Sequence, residues 1–381
     1  MVQSQIENRK SKIQNQTGVV SLTPARQNAT AKALAARMGF PLSGIALVPA
    51  DGIAPRAAAL ASWLEHGFHG PLAYMQKTQL ERSRLWTRFP WVRAVFALGA
   101  LCDGRAGQAG RLSYHIARYA RGRDYHLVFQ KRLKQLACAL VAEGVCSRAH
   151  WHVDTGPVLE RAWAETAGLG WIGKNASLIH PRLGSFFLLA EILMDSTPAP
   201  DVPIPNRCGT CRRCLDACPT HALVAPATLD ARLCLATWNI ECRGAMPPEL
   251  WPAQREWVFG CDTCQAVCPY NAPKRALSPD LELAAPRPWH SMTLARCITL
   301  TQSEYNRAFA ASPLRRAGLK GLRLSAITVA GNMRCEECRD ALRQCLADKD
   351  DDIRRRAEWA FSYAAAPDSK PETRKPKSEG N

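Results

Sequence analysis

Two short cysteine runs carry the clearest chemistry in this sequence. In CGTCRRCLDACP, Cys208, Cys211, Cys214 and Cys218 follow the spacing C-x2-C-x2-C-x3-C, and Pro219 comes next. In GCDTCQAVCP, Cys261, Cys264 and Cys268 precede Pro269, one cysteine short of the same pattern. This is the spacing of bacterial iron–sulfur loops, where three thiolates on one tight loop hold one cubane and the fourth cysteine reaches the other cluster. Crossed pairing then puts Cys208, Cys211 and Cys214 with Cys268, and Cys218 with Cys261 and Cys264. The second set lacks a thiolate. Spacing would place it at position 258, which is valine, while CLATWNIEC between the runs offers Cys234 and Cys242; spacing does not choose between them. Zinc ribbons also use C-x2-C pairs, but they need neither the overlapping triplet, the three-residue gap nor the prolines. Two [4Fe-4S] clusters, moving one electron at a time, are the expectation.

A two-cluster carrier is short, and here some 200 residues precede the first run. The chain has 381 residues and 16 cysteines, with 50 Lys and Arg against 33 Asp and Glu, a formal charge of +17. A disulfide scaffold does not suit a large protein with no export signal. The polar N-terminus, residues 1–28, has no apolar core of a signal peptide and reads as a disordered extension, so a cytoplasmic location follows. No apolar stretch reaches membrane-spanning length. The basic balance points to a polyanion, nucleic acid first. Cys102, Cys138, Cys146 and Cys297 read as core, and CEECRDALRQC (Cys335, Cys338, Cys345) lacks the second pair that a metal site would need.

The elements that must position these groups follow from periodicity. ATAKALAARMGF reads as a helix ended at Gly39, WVRAVFALGAL as a buried strand, and DYHLVFQKRLKQLACALVAEG as a helix closing at Gly144. WHVDTGPVLERAWAETAGLGW gives a strand leading to Asp154, a turn at Thr155–Gly156 and a helix stopped near Gly168. SFFLLAEILMD supplies another strand. The Pro-rich STPAPDVPIPN marks a boundary near 200. After the cysteine region the chain turns helical, and a helix pair split at the Asp run near 350 has the look of stacked helical repeats that must lean on what precedes them. No G-x-G-x-x-G follows a strand, so a Rossmann nicotinamide site has no support.

VDTGPVLERAWAETAGLGWIGKN, ARYARGRDYH, CGTCRRCLDACPTHAL, CLATWNIECRG and GCDTCQAVCP, in this order, resemble the epoxyqueuosine reductase family, cobalamin-dependent enzymes that complete queuosine on tRNA. The resemblance spans about residues 30 to 365. It implies an α+β fold: a mixed α/β cobalamin-binding domain at 29–200, a ferredoxin-like two-cluster module at 201–275, HEAT-like helices binding tRNA at 276–366, and a disordered tail at 367–381. It supplies Cys234 as the missing ligand and leaves Cys242 incidental. Asp154 matches the family's general acid, which would need its pKa raised by burial against the corrin to keep a proton near neutral pH. Arg82, Ala117, Asn175, Leu178, Leu189, Cys261 and Asp262 match corrin-lining positions, and Lys174 has an equal claim to a solvated role. Arg121, Arg123, Arg243, Arg315, Arg316, Lys320 and Arg323 are the cations expected to meet tRNA phosphates. An unidentified reductase or flavodoxin-type protein would feed electrons to a monomer. Leu324-Ser325 stands where the family carries Arg-Asn, which puts that part of the RNA surface in doubt, and GALCD replaces a usual aromatic. Two other functions compete: a cobalamin-dependent reductive dehalogenase, and a bare two-cluster electron carrier.

Overall fold

The structure, a computed structural model, describes residues 22–50, 52–102, 113–242, 246–272, 280–283, 287 and 291–365. Its centre is an antiparallel sheet of four strands: β1 (Leu42–Leu47), β2 (Ala94–Leu101), β3 (Ala149–His152) and β4 (Phe187–Met194), in the order β1-β2-β4-β3. β2 is buried at every position, which is why it reads as a continuous apolar run with no polar alternation. Its register on β4 runs from Ala94 opposite Met194 to Leu101 opposite Phe187.

Side chains alternate across a strand, so β4 serves two cores. Ala190, Ile192 and Met194 face helices α1 (Pro24–Arg37) and α2 (Tyr125–Ala142), meeting Leu34, Phe129, Leu133 and Leu136. Leu189 and Leu193 face the other way, toward helix α3 (Glu160–Thr166) and its buried Trp163. Local signals start these helices: Thr23 and Pro24 open α1, and the Asp124 side chain accepts the His126 N–H at the start of α2. Because α1 begins at Pro24, residues 24–28 are helical and do not belong to the polar extension; residues 1–21 lie outside the described residues.

Each cysteine run forms a loop closed by one short helix, Arg213–Ala217 and Thr263–Ala266. Past them the chain is helical: Leu294–Thr299, α4 (Gly318–Asn332), Arg339–Leu346 and α5 (Asp351–Ala365). The break at the Asp run falls between the last two. These helices share one core with earlier segments. Leu322, Ile327 and Val329 pack with Ile116, Val258 and Phe259, on the strand Trp257–Phe259 that pairs in parallel with His115–Ile116. Val258, where a cysteine would have completed the second run, is thus a buried core residue. Leu324 and Ser325 are also buried, inside α4, so the departure from the family's Arg-Asn alters packing and not an exposed RNA surface. Cys102, Cys146 and Cys297 are buried as expected, Cys138 is exposed on α2, and Cys335 and Cys338 form a disulfide. The tail, 367–381, lies outside the described residues. Among the described residues no helix is long and apolar enough to cross a membrane.

α3 sits so close to β1 that only hydrogen fits between them. A Cβ on Gly44 would lie 2.0 Å from the backbone carbonyl oxygen of Ala167. Gly44→Ala should therefore cost ~3 kcal/mol of stability, the upper part of the range for overpacking; thermal unfolding reads it, and an unchanged midpoint would contradict this packing.

Candidate active site and cluster centres

The cysteines gather into the two crossed sets. Cys208, Cys211, Cys214 and Cys268 all line one cavity of about 300 Å³, with Lys174, Asn175 and Tyr270. Burial raises the Cys214 and Cys268 thiols, and neighbouring cysteines of this same set add to it. The second set is deeper. Burial pushes the Cys264 thiol well above its ordinary value, and Cys261, Cys234 and Cys218 push it further; Cys234 in turn feels Cys218. Cys242 stands apart, raised to about 11 by burial and by Glu241 alone. Four thiols held together in a buried site are poor company as free thiolates, and a cationic cluster is what relieves them. Trp171 Nε1 donates to Cys208 Sγ at 3.4 Å, and the Ala222 N–H to Cys218 Sγ at 3.3 Å, bonds of the kind that tune cluster potentials. A cubane spaces its ligands around its own body, and the cavity and the two four-cysteine sets fit such clusters.

A larger cavity, about 760 Å³, opens beside the second set. One wall is apolar: Leu178, Phe186, Phe187, Leu188, Leu189 and Ile240. Asp262 and Gln265, from the second cysteine loop, form its shoulder, and the Asp262 carboxylate accepts the Arg118 N–H at 2.7 Å, tying that loop to the segment before α2. An apolar shelf edged by polar groups suits a large flat cofactor whose rim carries amides, and the volume falls in the range of cofactor pockets.

Asp154 faces this cavity from the turn after β3, in a left-handed backbone conformation with φ of 55°. A non-glycine residue pays for that conformation, and two contacts hold it there. Its N–H donates to Glu160 Oε1 at 2.6 Å, and its Oδ2 lies 3.2 Å from His126 Nε2. The other imidazole nitrogen, Nδ1, lies 2.8 Å from Asp124 Oδ1. Both ring nitrogens facing carboxylates can donate only in the imidazolium form. Burial works against that charge, yet the hydrogen bonds to Asp124 and Asp154 raise His126 to about 9. Burial pushes Asp154 up, but the bond and charge of His126, then Arg316 and Tyr125, bring it below the ordinary aspartate value. Without a corrin against it Asp154 is thus lowered by its histidine; the raised value is expected only with the cofactor in place. Glu160 is pushed up to about 7 by burial and by the charge of Asp154. Glu191, wholly buried on β4, is raised well above the carboxylate range by burial, and neither of its oxygens has a hydrogen-bond partner among the described residues.

The other expected cofactor positions divide. Leu178, Leu189 and Asp262 line the large cavity with Asp154, as does Cys102, which has a place there beyond simple core. Asn175 lines the smaller, cysteine-walled cavity instead. Arg82 does not line the large cavity; it is buried beneath the Asp154 turn, donating to the Val158 carbonyl at 3.0 Å and to Thr78 Oγ1 at 2.8 Å. Ala117 and Cys261 do not line it either: Ala117 packs where Gly260 leaves no room for a side chain, and Cys261 belongs to the second thiol set. Lys174 donates to the Gly209 carbonyl on the first cysteine loop, so it is structural.

The expected tRNA cations divide as well. Arg315 and Arg316 line the cavity and are exposed, with Arg316 paired to Glu241 at 2.7 Å. Lys320 is held between Asp350 and Asp352, and Arg323 reaches Asp348 at 2.7 Å and the Ile298 carbonyl, so both brace the helices. Arg121 donates to the Ile116 carbonyl and Arg123 pairs with Glu282. Arg243 lies outside the described residues. The residues missed from sequence are Asp124, His126 and Glu160. Their signal was present in RDYH and VLER, but the first looked like a basic cluster and the second like an ordinary helix start.

Comparison with known proteins agrees with this geometry. The family model described as "Epoxyqueuosine reductase QueG, DUF1730" matches residues 82–155, and one described as "4Fe-4S double cluster binding domain" matches residues 207–271. The chain is 43% identical over 305 residues to the epoxyqueuosine reductase of Gloeobacter violaceus, covering 79% of this chain and 94% of that protein. It is 38% identical over 350 residues to that of Pseudomonas aeruginosa, covering 89% and 94%. A selenomethionine-labelled epoxyqueuosine reductase crystal structure superposes with a TM-score of 0.81 at 27% identity, covering 90% and 91%. An epoxyqueuosine reductase with a tRNA-Tyr epoxyqueuosine-modified tRNA stem loop gives 0.78 at 27%, covering 90% and 92%. The chain carries a double [4Fe-4S] binding domain and belongs to the epoxyqueuosine reductase family.

Proposed function

We propose that this protein reduces epoxyqueuosine to queuosine in the anticodon loop of tRNA, with cobalamin in the large cavity. One observation carries the reading: the Asp154–His126 pair and the shoulder of the second cysteine loop, Asp262 and Gln265, open onto the same cavity. A proton source and an electron source therefore face one space. When bound, the two clusters and the corrin supply single electrons and a strongly reducing cobalt centre. Leu178, Phe187, Leu188 and Leu189 form the apolar wall against which the ring would lie and from which water is excluded. Asp154 passes a proton to the oxirane oxygen, which leaves far better as hydroxyl than as alkoxide, and Glu160 keeps the Asp154 backbone turned toward it. Arg315 and Arg316 at the cavity rim would meet phosphates flanking a splayed nucleotide. In this reading residues 29–200 hold the cofactor, 201–275 the clusters, and the HEAT-like helices of 276–366 steady the RNA. Cys208, Cys211, Cys214 and Cys268 hold one cluster; Cys218, Cys234, Cys261 and Cys264 hold the other. The protein would work as a cytoplasmic monomer fed by a reductase or a flavodoxin-type carrier.

Anaerobically reconstituted protein given cobalamin and epoxyqueuosine tRNA should produce queuosine, read by nucleoside mass spectrometry; unchanged epoxyqueuosine would refute the function. Asp154→Asn should bind cobalamin as before yet lose about 10²–10⁴-fold in turnover, the worth of a positioned proton donor. Full activity would remove its role. Cys234→Ser should lower the iron content of reconstituted protein, with loss of one cluster's absorption, while Cys242→Ser should keep both clusters. The reverse result would exchange their assignments.

A further inference from the structure

Removing an epoxide oxygen to leave an alkene breaks two C–O bonds and forms one C=C bond. It consumes two electrons and two protons and releases one water. The electrons arrive through the clusters, but a single aspartate holds one proton at most, and Asp154 is held below the ordinary aspartate value. The protons need another source.

The structure offers one within hydrogen-bond reach. His126 lines the cavity, with Nε2 at 3.2 Å from Asp154 Oδ2 and Nδ1 at 2.8 Å from Asp124 Oδ1. The first turn of α2 fixes the ring: Asp124 caps the helix through the His126 N–H at 3.0 Å, and the Tyr125 ring lies against the imidazole, tilted by 31° with ring centres 4.1 Å apart. The side chain stays 33% exposed, so water reaches it. We propose that His126 is the proton-supplying partner of Asp154, passing both protons of the reduction through that carboxylate in turn. This rests on the epoxide-reductase reading above.

In the first half, the oxygen freed from one carbon takes a proton from Asp154 as His126 Nε2 gives its own to Oδ2. The neutral imidazole is reprotonated from water along its exposed edge, with Asp124 holding the charged form. In the second half, the resulting hydroxyl takes the second proton by the same route and leaves as water. The charged surroundings fit this cycle. Asp124 and Asp154 favour the imidazolium. Arg315 and Arg316 face the cavity from the helical side, but Arg316 is matched by Glu241. Glu191, behind the wall on β4, is raised and adds little charge.

Because the histidine value lies above its unfolded one, the donor form is full below neutral pH and is lost as pH climbs through about 9. Two measurements test the proposal. In the cofactor-free protein, the His126 ring followed by NMR with labelled histidine should titrate near 9, and Asp154→Asn should lower it toward the ordinary ~6.5. In the loaded enzyme, His126→Gln should cut kcat at least ~100-fold with KM for tRNA unchanged and should remove the alkaline fall in the pH profile. His126→Ala should behave likewise and regain turnover with added imidazole. A glutamine variant with wild-type kcat and alkaline limb, or a ring titrating at or below the ordinary value, overturns the proposal. Wild-type protein that leaves epoxyqueuosine tRNA untouched while His126 still titrates high would instead overturn the assigned reaction and leave the protonated pair standing.

Discussion

The contact between His126 and Asp154 is what joins the elements of this protein into a working site. Asp154 opens the turn after an edge strand of the central sheet; His126 begins the helix packed on one face of that sheet. Their distance is therefore a readout of how the sheet, α2 and the 154–160 turn fit together. The turn is not a relaxed one. Its aspartate adopts a left-handed backbone conformation, and the Glu160 carboxylate and Arg82 beneath it keep the chain there.

The electron side has a comparable logic. Each set of thiols draws on both cysteine runs, Cys268 joining the first and Cys218 the second, so the two loops are brought together. Asp262, within the second loop, is also hydrogen-bonded to the backbone just before α2. One loop thus carries thiols of the second set, borders the cavity and meets the segment that leads into the histidine-bearing helix. The C-terminal helices complete this arrangement by packing on the strand that runs directly into Cys261.

Much of this was legible in the residues. The continuous apolar run of β2, the α2 periodicity and the strand before Asp154 appear where the sequence puts them, since each is a local signal reinforced by burial. The cysteine sets were legible because ligand spacing is itself a geometric statement. What spacing leaves open, Cys234 against Cys242, turns on tertiary placement: Cys234 lies near Cys218, while Cys242, past the irregular helical turn Thr237–Glu241, feels only Glu241. Charge was the poorest guide. Lys320 and Arg323 look like phosphate contacts in a string of letters, yet aspartates further along the chain, Asp350 and Asp352 for the lysine and Asp348 for the arginine, pair with them. The histidine that lowers Asp154 in the cofactor-free protein was hidden for the same reason. Burial alone would raise the aspartate, and the opposing histidine lies 28 positions earlier in sequence.

The central claim is that cluster electrons and the cavity meet at one place. Electron paramagnetic resonance of cob(II)alamin bound to the iron-loaded protein tests it most directly. With the clusters reduced, the cobalt signal should relax markedly faster than with the clusters oxidised, because Asp262 and Gln265 of the second cysteine loop border the cavity. A cobalt signal indifferent to cluster reduction, or a corrinoid that does not bind, would contradict the account.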